Sequence, residues 1–181
     1  GLVGGLGAAS YSGWPFHYKY IGLGEPIVFF LSGPVVTVGA VLIFFQSHDL
    51  FLFASVVSVP LSLLAVMRLH MGNMQRIPFD SMAGVFTIAR VWGFNRSKTV
   101  MMLLLYVPFL LIAALALVNI APLATFACLA ALPHAFLLTK KLLTCKGPLD
   151  PVCQEARTLL SQYHLIFGLA YCLAFVFLLR N

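Results

Sequence analysis

The residues of this chain that could do chemistry are concentrated in one polar stretch, residues 68–98. This stretch holds several basic residues, the amide Asn73 and a single carboxylate, Asp80. Guanidinium and ammonium groups bind phosphate oxygens, and carboxylates are the ligands that Mg²⁺ prefers. By residue type, Asp80 is a candidate metal ligand, and Asn73, Arg76, Arg90, Arg96 and Lys98 are candidates for binding a phosphate group.

Each of these residues also has a purely structural interpretation. Asp80 is more typical of a carboxylate that caps a helix or pairs with a basic neighbour than of a metal ligand. The basic residues would then anchor the stretch to lipid headgroups and fix its side of the membrane. The sequence contains no Ser/His/Asp or Cys/His nucleophile pattern and no phosphate-cradling glycine loop. No catalytic residue is assigned.

Two histidines, His134 and His164, lie in or beside apolar segments. Each is consistent with a hydrogen-bonded packing residue. A neutral imidazole in an apolar helix is also a metal ligand, so both are candidate ligands for the magnesium of a bound chlorophyll. The sequence leaves the two interpretations open.

The elements that position these residues must cross a membrane. The chain is 61% hydrophobic and 9% charged, with a mean hydropathy of +1.00, whereas soluble domains are about 25% charged. A spanning helix needs about 20 mostly apolar residues. The composition predicts an all-α, multi-pass integral membrane protein surrounded by membrane lipids. The predicted spans, about five in number, are Glu25–Phe45, Leu50–Met67, Thr99–Val118, Pro122–Leu138 and Leu159–Leu179.

The net charge of +6 lies mostly in two loops, residues 68–98 and 139–158. With five spans these loops share one side, which the positive-inside rule assigns to the cytoplasm, or to the stroma of a plastid. Residues 68–98 are predicted to form a basic helical cap, in which Pro78 begins a short helix and Gly84 ends it. Nucleic acid is excluded as a partner, because the basic groups sit in membrane loops and not on a basic soluble domain.

Prolines interrupt most of the predicted spans. Gly33-Pro34, Pro60 and Pro108 are expected to kink three of them, and Pro133 breaks the fourth. Kinked helices in a bundle are tolerated where neighbours or a cavity satisfy the freed carbonyls. Proline is also simply commoner in membrane helices than in soluble ones. An internal cavity is thus one of two interpretations.

Two motif runs resemble the UbiA superfamily of intramembrane prenyltransferases, and most closely its branch that uses dihydroxynaphthoate to make menaquinone and phylloquinone. The resemblance covers nearly all of the chain but only the C-terminal half of a family member. Residues 1–181 are accordingly expected to be a single, partial transmembrane domain. The first run comprises Tyr11, Pro15-Phe16, Tyr20, the GLGEP sequence at 22–26 and Gly33-Pro34. The second comprises Asn73, Asp80, Ala83-Gly84, Thr87–Ala89 and Gly93.

The resemblance implies two facing carboxylate-rich loops that hold Mg²⁺ and a prenyl diphosphate. It thereby implies a metal-binding role for Asp80 and a diphosphate-binding role for the phosphate-binding candidates Asn73, Arg76, Arg90, Arg96 and Lys98. The first of these loops lies upstream of Gly1 in the family pattern. In the second, Arg76 and Pro78 stand at acidic positions and Val85 replaces a lysine, which leaves Asp80. A cation at position 76 would repel Mg²⁺ where a ligand is needed. The motif is therefore interpreted as degenerate.

Three hypotheses follow from these observations. The first is a non-catalytic, prenyltransferase-like subunit of a larger membrane assembly that holds quinone, lipid or pigment. The resemblance would place that assembly in a photosynthetic complex of the plastid thylakoid. The second is an active Mg²⁺-dependent aromatic prenyltransferase in quinone biosynthesis whose N-terminal half lies outside this sequence. The third is a small carrier. Half a bundle would leave small-residue faces at Gly33, Gly39 and Gly168 that seek a partner subunit.

Overall fold

The computed structural model describes residues 22–45 and 49–178, which form helices joined by short connections. The first residues of the GLGEP-containing motif run, Tyr11 to Tyr20, lie outside the described ranges. The chain divides into two compact units, residues 1–97 and 98–181, and each is described by itself below. That the whole chain is one domain remains a prediction.

Among the described residues of the first unit, α1 (Gly24–Phe30) comes first and continues through a π-helical segment (Leu31–Val35) into α2 (Val36–Phe44). It continues with α3 (Phe51–Met82) and the beginning of α4 (Ile88–Leu104), a helix interrupted at Gly93 by the left-handed φ of 74°. The second unit contains the rest of α4, α5 (Val107–Leu117), a 3₁₀ segment (Leu123–Ala131), α6 (Leu132–Thr144) and α7 (Pro151–Leu178).

The prediction of an all-α protein with about five spanning helices is confirmed. Five helical stretches in the described residues are long and apolar enough to cross a membrane. Their bounds differ from the prediction chiefly at α3, α4 and α7, which extend into the polar stretches 68–98 and 139–158. The five stretches are Gly24–Phe44, Phe51–Met82, Ile88–Leu117, Leu123–Thr144 and Pro151–Val176.

The polar stretch 68–98 is more helical than the sequence predicted. The predicted end of the second span at Met67 is wrong, because α3 continues without a break to Met82. No separate helix begins at Pro78, which lies inside α3. The helix continues because Met71, Asn73 and Met74 are buried and keep a helical face packed after the apolar span ends. Gly84, with φ 69°, follows the end of α3 as predicted.

The kink expected at Gly33-Pro34 appears as the π-helical segment between α1 and α2. Proline lacks an N–H, so the ladder of backbone hydrogen bonds must be rearranged there. Gly33 is buried, and a Cβ atom at this position would lie 1.7 Å from Ser62 Oγ on α3. The prediction that Gly33 seeks a partner subunit is therefore wrong, since its partner is α3. Gly39 and Gly168 do have open space around them.

The second unit is organised around a column of aromatic rings on α7. Tyr163, Phe167, Tyr171 and Phe175 follow one another at intervals of four residues, which stacks them along one helix face. Phe109 of α5 makes edge contacts with the first two rings. Tyr163 and Phe167 are fully buried, so this column forms the core of the unit.

The fourth span is irregular where the sequence predicted a break. Residues Leu123–Ala131 form a 3₁₀ helix, and Pro133 lies in the first turn of α6. Beside the 3₁₀ helix is an apolar cavity of about 100 Å³. Its walls are formed by Phe109, Ile112, Ala113, Thr125, Phe126, Cys128 and Leu129. A cavity at an irregular helix therefore exists within the second unit, and no charged group lines it.

The loop between α6 and α7 is closed by Asp150. Its carboxylate accepts hydrogen bonds from the backbone N–H of Lys146 at 2.9 Å and of Val152 at 3.0 Å. These bonds favour the charged form and hold the pKa of Asp150 below its ordinary value. Asp150 therefore caps the N-terminus of α7.

Candidate functional site: a buried polar network on α3

The GLGEP sequence places a carboxylate inside the first unit. Gly22 has a φ of 79°, and a Cβ there would meet the Phe86 ring at 3.1 Å. Pro26 lies in the first turn of α1, where a missing N–H costs nothing. The turn buries Glu25, which is 7% exposed. Glu25 is thus a buried network residue as well as the start of a helix.

Two side chains of α3 bind the same oxygen of Glu25. His70 Nδ1 lies 3.3 Å from Glu25 Oε1, and Asn73 Nδ2 donates a hydrogen bond to that oxygen at 3.0 Å. The second ring nitrogen of His70 lies 3.2 Å from the backbone carbonyl oxygen of Ser97 on α4. His70 and Asn73 are each 2% exposed. One buried histidine therefore connects α1, α3 and α4.

The network continues from Asn73 to Arg76, one turn further along α3. Arg76 Nη2 donates to Asn73 Oδ1 at 3.1 Å. Two buried atoms of this network, Glu25 Oε2 and Arg76 Nε, have no hydrogen-bond partner. The predicted pair Asn73 and Arg76 is therefore brought together, with Glu25 and His70 as additional members.

Asp80 belongs to a second polar contact at the C-terminal end of α3. Thr87 Oγ1 donates to Asp80 Oδ2 at 3.3 Å and accepts from the backbone N–H of Arg90 at 3.3 Å. Arg90 Nη1 donates to the carbonyl oxygen of Val85 at 2.7 Å. Asp80 is 8% exposed. Asp80 and Thr87 thus join the end of α3 to the start of α4.

The remaining candidate cations are not part of either contact. Arg96 is exposed. Lys98 lies in the second unit, where its Nζ donates to the carbonyl oxygen of Cys145 at the end of α6 at 3.1 Å. The predicted diphosphate-binding residues therefore belong to both units, and their role in binding stays a prediction.

The candidate pigment ligands lie on α6 and α7 of the second unit. His134 is partly buried, and its Nδ1 is buried without a hydrogen-bond partner. His164 is also partly buried, and it takes part in a hydrogen-bonding, ring or electrostatic interaction. A role as chlorophyll ligands remains a prediction for both.

The residues of the two polar contacts do not fit Mg²⁺. Within the described residues, no group of three or more His, Cys, Asp or Glu side chains could hold a metal ion. Mg²⁺ demands octahedral oxygen coordination. Glu25 is bound by His70 and Asn73, and Asp80 is bound by Thr87. No step through a bound metal is therefore derived.

The sequence gives only a weak signal for the roles of Glu25 and His70. Glu25 is part of the GLGEP sequence at the start of a predicted span, and His70 belongs to no motif. One local signal was present, since His70 lies one helical turn before Asn73 and on the same face of α3. The contact that buries both side chains joins residues 45 positions apart, a separation that no local pattern predicts.

Comparison with known proteins identifies related sequences. Residues 1–153 match the model of the UbiA prenyltransferase family. The UbiA prenyltransferase domain-containing protein 1 of Homo sapiens is 33% identical over 114 residues, which cover 62% of this chain and 33% of that protein. The protein of the same name from Dictyostelium discoideum is 36% identical over 95 residues, which cover 52% of this chain and 28% of that protein. The chain thus spans about a third of the length of these relatives. No solved structure matches it.

Proposed function

The chain belongs to the UbiA prenyltransferase family, and from that premise we propose that it is a catalytically degenerate member that serves as an integral subunit of a larger membrane assembly. The observation that carries this proposal is that both buried carboxylates already have side-chain partners. Glu25 is bound by a histidine and an asparagine, and Asp80 by a threonine.

The charges around these carboxylates support the same proposal. Family chemistry requires Mg²⁺ to neutralise a departing diphosphate, which needs several free oxygen ligands. Here Arg76 lies within the network next to Asn73, so a divalent cation at Glu25 would meet a guanidinium charge. The side chains of this network are arranged to stabilise helix contacts and leave few oxygens for a metal.

Two glycines with open space beside them support a partner subunit in the membrane. Gly39 and Gly168 lie in helices with open space where a Cβ would be added, and small residues let a second helix approach closely in lipid. A photosynthetic complex of the thylakoid, with bound quinone, lipid or chlorophyll, is the assembly that the dihydroxynaphthoate-branch resemblance favours. This compartment is part of the proposal and rests on the resemblance alone.

A second candidate function is favoured by the length of the relatives. Because the chain spans about a third of them, further residues outside this sequence could supply a second carboxylate loop. In that case the assembled protein would be a Mg²⁺-dependent aromatic prenyltransferase of the dihydroxynaphthoate type. Asp80 would then be its ligand in the second loop.

An activity assay separates the two functions. Membranes containing the chain are incubated with prenyl diphosphate, dihydroxynaphthoate and Mg²⁺, beside membranes with an active family member. We expect no product above that of empty membranes. Transfer that Asp80→Asn abolishes and the exposed control Asp49→Asn preserves would overturn the degenerate assignment. A gain of transfer in the double variant Arg76→Asp and Pro78→Glu would support a decayed metal site.

The subunit role is tested on native membranes. A mild-detergent extract is separated on a native gel, and the band that contains this chain is analysed by peptide mass spectrometry. We expect co-migration with a large complex of other membrane proteins. Migration as a small species with peptides from an upstream carboxylate-rich segment would instead support the enzyme.

A further inference from the structure

We propose that the loop between α6 and α7 is a binding site for anionic phospholipid, in which Lys140 and Lys146 attract the headgroup while Leu143 and Leu149 contact the upper part of the acyl chains. The occupant is a lipid of the surrounding bilayer, and the site belongs wholly to the second unit. It does not depend on whether the assembled protein is an enzyme or a structural subunit.

The loop is ordered by hydrogen bonds that pair its own backbone groups. The Asp150 carboxylate accepts from two backbone N–H groups, and the Asp150 N–H donates to the Gly147 carbonyl oxygen at 3.2 Å. The Cys153 N–H donates to the Asp150 carbonyl oxygen at 2.8 Å. At the other end of the loop, Lys98 Nζ donates to the Cys145 carbonyl oxygen at 3.1 Å. The loop can therefore meet the apolar edge of a bilayer without leaving these groups unpaired.

The loop has buried ends and an exposed apolar tip. Cys145 is 1% exposed and Cys153 is fully buried, whereas Leu149 between them is 67% exposed. Leu143, in the last turn of α6, is 62% exposed. Because the stretches on both sides of the loop are candidate spans, we expect the loop at the membrane surface. Exposed leucines at that depth leave water when they enter the boundary between headgroups and acyl chains.

The charges at this end of the unit are complementary to an anionic headgroup. Residues 139–158 contain four cations and two carboxylates. Both carboxylates are already engaged, since Asp150 binds two backbone N–H groups and Glu155 binds Lys141. The surface therefore has a net positive charge, which attracts anionic lipids more strongly than zwitterionic ones.

Each exposed lysine of the site lies close in the sequence to an exposed leucine. Lys140 precedes Leu143 by three residues on α6, so the two share a helix face. Lys146 precedes Leu149 by three residues within the loop. A lysine can lay its stem along apolar surface and keep its charge in the polar region. A phospholipid matches both halves of this pattern, whereas free phosphate would use the cations alone.

The test uses the whole chain in phosphatidylcholine liposomes that contain a photo-reactive lipid. This lipid is either phosphatidylglycerol or phosphatidylcholine, and both carry the same acyl chain with a diazirine near its carbonyl end. Peptide mass spectrometry then locates the cross-links. At about a fivefold gain for each lysine, we expect phosphatidylglycerol to label residues 143–149 about 25-fold more than phosphatidylcholine does. The uncharged connection 118–122 of the same unit is the internal reference and should show no preference.

Substitutions separate the two halves of the site. Lys140→Gln and Lys146→Gln should each lower the preference for phosphatidylglycerol about fivefold, whereas the double variant Lys140→Arg and Lys146→Arg, which keeps the charge, should retain it. Leu149→Ser should lower the labelling of the loop by both lipids and leave their ratio unchanged.

Four results would overturn the proposal. The first is equal labelling of the loop by the two lipids, and the second is a preference that both glutamine variants keep. The third is loss of the preference in excess inorganic phosphate at constant ionic strength, which would indicate a site for free phosphate. The fourth is a loop without lipid label beside a labelled 118–122 reference, which would show that another protein covers the loop.

Discussion

At the scale of single residues, side-chain hydroxyl groups form hydrogen bonds with backbone N–H and C=O groups that lack a partner at the helix ends. Thr87 caps the N-terminus of α4 and also binds Asp80. Tyr163 Oη donates to the carbonyl oxygen of Leu105 at 2.9 Å. That carbonyl lies at the junction of α4 and α5, where Phe109 N–H binds Tyr106 instead. In lipid such carbonyls find no water, so each hydroxyl stabilises a helix junction.

Replacing Thr87 with valine should destabilise the first unit. The change keeps the size of the side chain, but it removes the cap of α4 and one hydrogen bond of a buried carboxylate. The expected loss is about 1–2 kcal/mol of unfolding free energy. It is measured as a lower thermal midpoint in detergent. Thr87→Ser retains the hydroxyl and is the matched control, and equal loss in both variants would contradict the role of the hydroxyl.

Replacing Tyr163 with phenylalanine tests the junction between α4 and α5. The ring column on α7 would remain, but the Leu105 carbonyl would lose its donor, at an expected cost of about 1–3 kcal/mol. Tyr106→Phe is the matched control. The Tyr106 hydroxyl is only partly buried, and its partner Thr139 also donates to Ala135. Denaturation of the two variants in the same detergent should rank Tyr163→Phe as the less stable one.

At the scale of elements, the sequence predicted the spans well and their irregularities in part. Hydrophobic length located the five spanning stretches of the described residues, and Pro34 and Pro133 marked two real departures from the α-helix. Pro78 gave a false signal of a helix start, because it lies inside α3. A proline removes one backbone N–H, but packing against neighbouring helices decides whether the helix continues through it.

The candidate site was predictable to a smaller extent for a related reason. Asn73, Arg76 and Asp80 were found because they lie close together in the sequence and in a motif. Thr87 lies seven residues after Asp80 in the same motif run, whereas Glu25 reaches Asn73 across 48 positions by tertiary packing. The motif runs contain these residues, but the runs do not specify which side chains contact one another.

The approach of α3 to the π-helical segment is tested by alanine at two glycines. Gly33→Ala places a Cβ 1.7 Å from Ser62 Oγ and 3.0 Å from Ser62 Cβ, so we expect a loss of about 1–3 kcal/mol from overpacking. Gly39→Ala meets no atom within 4 Å and should cause no loss. Thermal unfolding in detergent compares them, and the double variant Gly33→Ala and Ser62→Ala should recover part of the stability. Equal stability of the two single variants would show that the close approach is absent.

At the scale of the whole molecule, the five candidate spans predict the side of the membrane on which each connection lies. With one crossing per span, we expect residues 83–87 and 145–150 on one side and residues 118–122 on the other. Most of the basic residues belong to the stretches 68–98 and 139–158, next to the first two connections. By the positive-inside rule we expect the first side to be the cytoplasm or the stroma.

This topology is tested by inserting a site-specific protease sequence at Gly147 or after Asn119. In sealed vesicles of known orientation, the Gly147 insertion should be cut from the cytoplasmic or stromal side and the Asn119 insertion from the opposite side. Asn119 has a positive φ of 56° in a short exposed turn, so it is a suitable place for an insertion. Cleavage of both insertions from the same side would contradict an odd number of spans between residues 119 and 147.

The π-helical segment also sets the rotational phase of the first span. A π turn accommodates about one residue more than an α turn, which rotates everything after it by about 100° around the helix axis. The lipid-facing pattern of α2 is therefore out of step with the face that α1 directs at α3. Deleting one residue within Leu31–Val35 would remove the extra residue of the π turn and rotate α2 relative to α1 by about 100°. The π turn thus lets a single helix direct Glu25 and Gly33 at α3, while α2, which has no buried residue, is turned away from the core.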